Sequence, residues 1–355
     1  MAGPDIIVVG ASAGGVEALS RVVADLPEDL PASVFIVLHI PPMPTSALPT
    51  ILGRRARLPV AHAIEGEAIK TGRIYVAPPD RHLLVLPGRV RVAPGPRENG
   101  HRPAVDPLFR SAAVAYGSRV VAVVLSGSLD DGTAGLRAVK GRGGMAVVQD
   151  PEEALYRGMP LHAVEGDHPD LILPVAEIGK ALAKLAESPA HHQQGGGDAV
   201  SDEIEAELEW AHPDLASEEN EAPFGRPSGF TCPECHGVLW DLDDGELVRF
   251  RCRVGHGFSS ESLVDVQSHD VEGALWTAYR ALEERAALCR KLAGRATERE
   301  HRHSARHFER QAADAEHRAQ LLRGLLHSST RAPGASAVED EAEEVDPGPE
   351  ALSGE

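Results

Sequence analysis

Short apolar runs rich in β-branched residues recur through the first half of the chain, separated by segments of helical spacing. The first, Ile6-Ile7-Val8-Val9, passes into the small residues Gly10-Ala11-Ser12-Ala13-Gly14-Gly15 and then into a helical pattern from Val16. That order predicts a buried strand, a tight turn and a helix start. Ser33–Leu38, Arg73–Ala77, Arg119–Leu125, Met145–Gln149 and Asp170–Leu173 read as further strands. His82–Val92 reads as a hairpin turning at Pro87-Gly88. The turn Pro41-Pro42-Met43-Pro44 opens one helix, and another starts at Gly132. Continuous apolar strands are buried on both faces. The pattern over residues 1–190 therefore predicts an α/β domain, a doubly wound, mostly parallel sheet with helices on both faces.

The periodicity then changes. Residues 191–225, with His191-His192-Gln193-Gln194 and a glycine run, predict an acidic flexible linker. A compact, turn-rich module is expected over 226–265, a helical hairpin over 266–327 and a disordered acidic tail over 328–355. Val271, Leu275, Ala278, Leu282, Ala286 and Cys289 recur at three- and four-residue intervals, which predicts one buried helix face. Self-packing of the hairpin explains that face, and a partner-binding or dimerising helix is the alternative. Gly294 is the expected end of the first helix, and Cys289 an expected buried apolar residue. His301, His303, His307 and His317 fit a solvated polar face.

Charge alters this picture less than its total suggests. The formal net charge is −19, but residues 198–222 hold ten Asp/Glu and residues 332–355 eight, neither with any Lys or Arg. The remainder is nearly neutral, without the basic face of a nucleic-acid binder. No apolar run approaches bilayer-spanning length, and the N-terminus lacks a basic-then-apolar secretory pattern. A cytoplasmic location is expected. The four cysteines are too few for a disulfide framework in 355 residues. Reduced thiols follow.

Candidate chemistry lies at strand ends. Gly10-Ala11-Ser12-Ala13-Gly14 has the spacing of a nucleophile elbow, in which a sharp turn lifts the serine hydroxyl out of the sheet. A dinucleotide-binding turn and plain strand-to-helix packing with a serine cap also fit this stretch. His39 follows the second strand, and Asp130-Asp131 follow the strand that ends at Leu125. A serine, a histidine and an aspartate at three carboxyl ends form the set in which a carboxylate orients an imidazole and the imidazole takes the serine proton. The order Ser, His, Asp is not that of α/β-hydrolases.

A second constellation is Cys232-x2-Cys235, sixteen intervening residues with a strand pattern around Trp240, a turn at Asp243-Asp244-Gly245 and Val248-Arg249-Phe250, then Cys252-x3-His256. Two knuckles joined by a hairpin predict a zinc ribbon whose closed four-ligand site is structural.

Over residues 5–186 the chain resembles the catalytic domain of chemotaxis protein-glutamate methylesterases of the CheB type. The resemblance is carried by Gly10–Gly15, His39-Ile40-Pro41, Gly66-Glu67, Ile74–Pro78, Arg102–Phe109, Leu125-Ser126-Gly127 through Asp131-Gly132, Gln149-Asp150 and Gly158-Met159-Pro160. It implies Ser12 as nucleophile, His39 as base and then acid, and Asp131 rather than Asp130 as orienting carboxylate. It also implies backbone oxyanion donors at Ala13 and Ser128, no catalytic cofactor, and hydrolysis of glutamyl methyl esters on a receptor protein. The membrane would be met only through that receptor. Protein-glutamine deamidation, and a regulatory zinc-binding protein with an inactive esterase domain, are the alternatives. The chain departs from the family pattern at Ala13, commonly threonine, and at Ser128-Leu129-Asp130, commonly Met-Gly-Asn. Asp130 is thereby expected to add a second negative charge beside the histidine. By the resemblance a receiver domain would cover the site, and with the first catalytic strand at residue 6 the expectation is that this switch is missing. Constitutive activity, or control by the C-terminal half or by a partner protein, is expected in its place.

Overall fold

The computed structural model describes residues 4–43, 45–188, 226–244 and 247–329. The expected linker over 191–225 and nearly all of the expected tail lie outside them, as does Gly245 of the expected turn. The chain divides after Gln267 into two compact units.

In the first unit, β1 (Ile6–Ala11), β2 (Ser33–Leu38), β3 (Val60–His62), β4 (Ile74–Val76), β7 (Val120–Val124), β8 (Met145–Gln149) and β9 (Leu171–Leu173) form one sheet. Its order is β3-β4-β2-β1-β7-β8-β9, and every pairing is parallel. The hairpin β5 (His82–Leu86) and β6 (Arg89–Ala93) stands apart as its own two-stranded sheet.

Alternate residues of β1 enter opposite layers. Ile6 and Val8 pack with α3 (Val105–Tyr116), α4 (Thr133–Gly141) and α5 (Gly158–Asp167) through Leu108, Phe109, Leu136 and Met159. Ile7, Val9 and Ala11 pack with α1 (Gly15–Ala24), α2 (Leu48–Gly53) and α6 (Val175–Glu187) through Leu19, Leu52, Ile178 and Leu182. A side-chain period of two thus divides one apolar run between two cores, which is why the run reads as continuous. The short edge strand β3 was not anticipated, because its three residues are only half-buried and carry no apolar run. The helix after the Pro41–Pro44 turn begins later than expected, at Leu48.

β1 is also where the sheet order reverses, since β2 pairs on one side of it and β7 on the other. In open parallel sheets the crevice at that reversal receives functional groups from the strand ends. Here Ala11 is paired with Leu38, so Ser12 and His39 leave the sheet side by side.

Residues 226–262 form a smaller antiparallel sheet, β10 (Pro227–Thr231), β11 (Val238–Asp244), β12 (Leu247–Cys252) and β13 (Gly257–Ser259), in that order. Its buried apolar set is Cys232, Leu239, Phe250, Cys252 and Phe258 with Leu263. Helix α7 (Ser260–Glu298) follows directly, and the boundary between the two units falls within it.

The second unit contains most of α7 and α8 (Arg302–Ser329). Ala286, Cys289, Ala293 and Ala296 of α7 and Ala305, Ala312, Ala315, Ala319 and Leu326 of α8 are buried. Arg290 pairs with Glu316 across the two helices. The hairpin and the buried Cys289 agree with expectation, but two details do not. Val271 and Ala278 are exposed, so the buried stripe begins only at Ala286. Gly294 lies inside α7. The break comes at Glu300, whose φ of 59° permits a cap in which Glu300 N–H bonds Thr297 O at 3.0 Å and His301 N–H bonds Ala296 O at 2.8 Å. This is a Schellman geometry without its usual glycine. His301, His303, His307 and His317 are all exposed. Among the described residues, no helix is long and apolar enough to cross a membrane.

Candidate active site

The turn after β1 needs its small residues. Gly14 has φ 71°, and a Cβ there would stand 2.7 Å from Ser126 Oγ. A Cβ on Gly127 would meet Met159 Sδ at 2.1 Å and Ser12 Cβ at 2.9 Å, so only glycine lets the loop after β7 pass beside the serine. That loop is tied down by hydrogen bonds. Ser12 N–H donates to Ser126 O at 3.0 Å, Ser126 Oγ–H to Ala13 O at 2.8 Å, and Gly127 N–H to Tyr156 O at 3.0 Å. Ser126 N–H in turn donates to Gln149 Oε1 at 2.9 Å.

Three of the expected residues converge. His39 Nδ1 lies 3.1 Å from Ser12 Oγ, and His39 Nε2 lies 2.7 Å from Asp131 Oδ2. A carboxylate only accepts, so Nε2 carries the hydrogen and the Nδ1 lone pair faces the serine hydroxyl. The ring nitrogens are exchanged relative to the chymotrypsin arrangement, with the same division of labour.

Asp131 is buried, with 2% of its side chain exposed. It lies at the start of α3, where Val105 N–H donates to Oδ2 at 2.7 Å and Asp106 N–H to Oδ1 at 3.2 Å. Asn99 Nδ2 adds a further bond to Oδ1 at 3.0 Å. Burial alone would raise the Asp131 pKa, but the hydrogen bond and charge of His39 and the Val105 N–H outweigh it and hold the carboxyl below its ordinary value. Free N–H groups at a helix start are well suited to such a charge.

Sequence reasoning assigned no role to Asn99, His101 or Asp106. Asp106 accepts from Gly132 N–H at 3.1 Å and Gly135 N–H at 2.7 Å, fixing the start of α4 against α3. Burial, then the neighbouring charge of Asp131, raises its pKa. His101 stacks on His39 with ring centroids 3.7 Å apart. Burial, then the adjacent His39, lowers its pKa to about 4, so it faces His39 as a neutral ring. Asp106 stood within the motif Arg102–Phe109. Asn99 and His101 precede that motif with no spacing signal of their own.

The departures in the loop have a local explanation. Leu129 adopts φ 58°, a left-handed conformation that favours glycine and costs a leucine roughly 1–2 kcal/mol. Its carbonyl accepts from His162 Nδ1 at 3.0 Å. The Asp130 carboxylate accepts from Ser259 Oγ at 2.7 Å, and the carboxylate bonded to His39 is that of Asp131. Burial raises the Asp130 pKa, against the hydrogen bond from Ser259. Neither the Ala13 N–H nor the Ser128 N–H has an acceptor among the described residues.

Cys232, Cys235, Cys252 and His256 also come together, with all four donor atoms within 4.8 Å of one another. Cys235 Sγ lies 3.6 Å from Cys252 Sγ, and His256 Nδ1 lies 3.7 Å from Cys232 Sγ and 3.5 Å from Cys252 Sγ. A tetrahedron with Zn–S of about 2.3 Å and Zn–N of about 2.0 Å has edges of about 3.5–3.8 Å, so the donor set fits that ion.

Residues 7–182 match the family model described as CheB methylesterase. A protein-glutamate methylesterase/protein-glutamine glutaminase from Anaeromyxobacter dehalogenans is 41% identical over 181 residues, 51% of this chain and 53% of that protein. A putative protein-glutamate methylesterase/protein-glutamine glutaminase from Leptospira interrogans is 36% identical, and the match spans 94% of its length. The crystal structure of the Thermotoga maritima CheB methylesterase catalytic domain is 36% identical, covers 52% of this chain and all of that one, and superposes with a TM-score of 0.50. The chain spans about half the length of curated relatives such as the Anaeromyxobacter protein. With the ordered motifs, the parallel sheet and the near-complete match to the Leptospira protein in agreement, this chain belongs to the CheB methylesterase family.

Proposed function

We propose that the chain is a serine hydrolase that cleaves glutamyl methyl esters on a receptor protein, giving glutamate and methanol. The observation that carries this reading is the unbroken line from Ser12 Oγ through His39 to the buried Asp131. His39 Nδ1 takes the Ser12 proton as Oγ adds to the ester carbonyl, and Asp131 holds the resulting imidazolium. Backbone N–H groups of Ala13 and Ser128 receive the oxyanion, each worth about 3–4 kcal/mol in the transition state. Collapse breaks the C–O bond as His39 passes the proton to the departing methoxy oxygen, giving methanol. Water, activated by the same imidazole, then releases the glutamate and regenerates Ser12.

The relatives' names pair methylesterase with glutaminase. Amide hydrolysis at a glutamine side chain needs only that His39 pass its proton to the departing amide nitrogen, releasing ammonia in place of methanol, so it is the second reading for the same site. The Cys/His set is proposed to hold structural zinc, a closed site with no open position for chemistry. The reading places the protein in the cytoplasm, with the membrane met through the receptor and a regulatory protein bound through the C-terminal region.

The test is methanol release from a methylated receptor fragment. Wild type should turn over, and Ser12→Ala should lower kcat by at least about 10³-fold. Equal turnover by the two would sink the assignment.

A further inference from the structure

The amide of Asn99 has four hydrogen-bonding positions, and all four are used. Its Nδ2 donates to Asp131 Oδ1 at 3.0 Å and to Asp106 Oδ2 at 3.1 Å, bridging the two buried carboxylates at the starts of α3 and α4. Its Oδ1 accepts from Ser259 N–H at 2.9 Å and Ser262 Oγ–H at 3.0 Å. Those two serines are not loop residues free to adapt. Ser262 N–H donates to Ser259 Oγ at 3.0 Å and Ser259 N–H also reaches Ser262 Oγ at 2.9 Å, so they form the reciprocal capping box of α7. The backbone is clamped at the same place. Asn99 N–H donates to Gly257 O at 2.8 Å, and Gly257 N–H donates to Arg97 O at 3.2 Å. Beneath the clamp, buried Glu98 joins Arg110 of α3 to Arg251 of β12, the latter at 3.0 Å.

An asparagine amide can turn over, exchanging its NH2 and C=O. Either the carboxylates or the serines would suffice to fix it. Here both do, and the serines stand where the Cys/His-bearing sheet passes into α7, Ser259 at the end of β13 and Ser262 in the first turn of the helix. We propose that Asn99 is a positioning residue for the Asp131–His39 pair, and that the capping box Ser259–Ser262 sets the orientation in which its amide holds Asp131. The small sheet thereby supports the esterase site from behind, through the side chain of Asn99. This deepens the hydrolase reading above and rests on it.

The test uses the full chain and an alkyl fluorophosphonate, which Ser12 Oγ attacks at phosphorus with loss of fluoride while His39 takes the serine proton. The second-order labelling rate reports the serine–histidine–aspartate line without a known substrate. Asn99→Ala should slow labelling about 10-fold through misorientation of Asp131. Asn99→Asp, which keeps the shape but replaces the donor with a repelling acceptor, should be slower still. Ser262→Ala should give a smaller loss in the same direction, and adding it to Asn99→Ala should change nothing further, because the relay is already cut. The downfield proton NMR signal of His39 Nε2–H should shift in all three single variants. A role in filling space makes Asn99→Asp better than Ala and the double variant additive, and that outcome overturns the proposal. So does wild-type labelling and an unmoved proton signal in Ser262→Ala, which settles the matter if the Asn99 variants fail to fold. No labelling of wild type at Ser12 defeats the hydrolase reading itself, and the proton signal then still decides whether Asn99 and Ser262 hold Asp131.

Discussion

The two larger sheets of the first unit are held by different physics. The seven-stranded sheet buries both faces, and its strands are lined by Val, Ile and Leu that meet helices above and below. The four-stranded sheet buries few side chains, two of them cysteines, and exposes Phe230, Val238 and Val248. A sheet with so little apolar interior needs another source of free energy, and four converging thiol and imidazole donors supply the place for one. What the comparison teaches is a division of roles. The large sheet aligns Ser12 and His39 by strand register, while the small one meets the site at Asn99 and Asp130.

The largest expected effect comes from the metal. Zinc analysis of the purified protein should give about one equivalent, and stripping it or substituting Cys252→Ser should remove on the order of 10 kcal/mol of metal-linked folding free energy from the small sheet. Hydrogen exchange should then become fast over 227–259 and stay slow over 6–11 and 120–124. Continued protection of the small sheet without metal would break the comparison.

Apolar substitutions should give a smaller effect of opposite distribution. Leu19→Ala, at a fully buried position of the large core, should cost about 3 kcal/mol and lower the Tm of the whole α/β layer. Leu239→Ala in the metal-loaded small sheet should leave that transition almost where it was. Equal shifts would mean that the two sheets melt as one cooperative structure.

The smallest effect concerns His101, in the segment between the sheets. Its pKa is lowered to about 4, so on acidification below the ordinary histidine range the unfolded chain takes up a proton that the folded chain refuses. Stability is therefore lost as pH falls from about 6.5 towards 4, by roughly 2 kcal/mol from this group. His101→Phe keeps a flat ring against His39 and should flatten the Tm profile over that window. Part of the slope should remain, because buried His82 is shifted in the same direction. An unchanged profile would remove His101 from the account.

The sequence by itself determined more of the large sheet than of anything else. Its strands were legible because burial on both faces leaves unbroken apolar runs, and Ser12, His39 and Asp131 were legible because they stand where those runs stop. The Cys/His spacing was equally explicit, since a knuckle is a local structure. The end of α7 at Glu300 was not legible, because a cap made by an ordinary residue at positive φ carries no mark in the sequence. Nor was β3, whose pairing depends on its neighbour β4 and not on its own three residues.

Only the tertiary structure decided which aspartate faces the histidine on physical grounds. Asp130 and Asp131 are adjacent and chemically identical, and the choice between them is made by the start of α3, which offers two N–H groups to one carboxylate, and by Ser259, which engages the other. The same holds for Asn99. Its partners come from positions 106, 131, 259 and 262. Hydrogen bonds between residues so far apart in sequence have no periodicity, so they arise only once the two sheets are folded against each other.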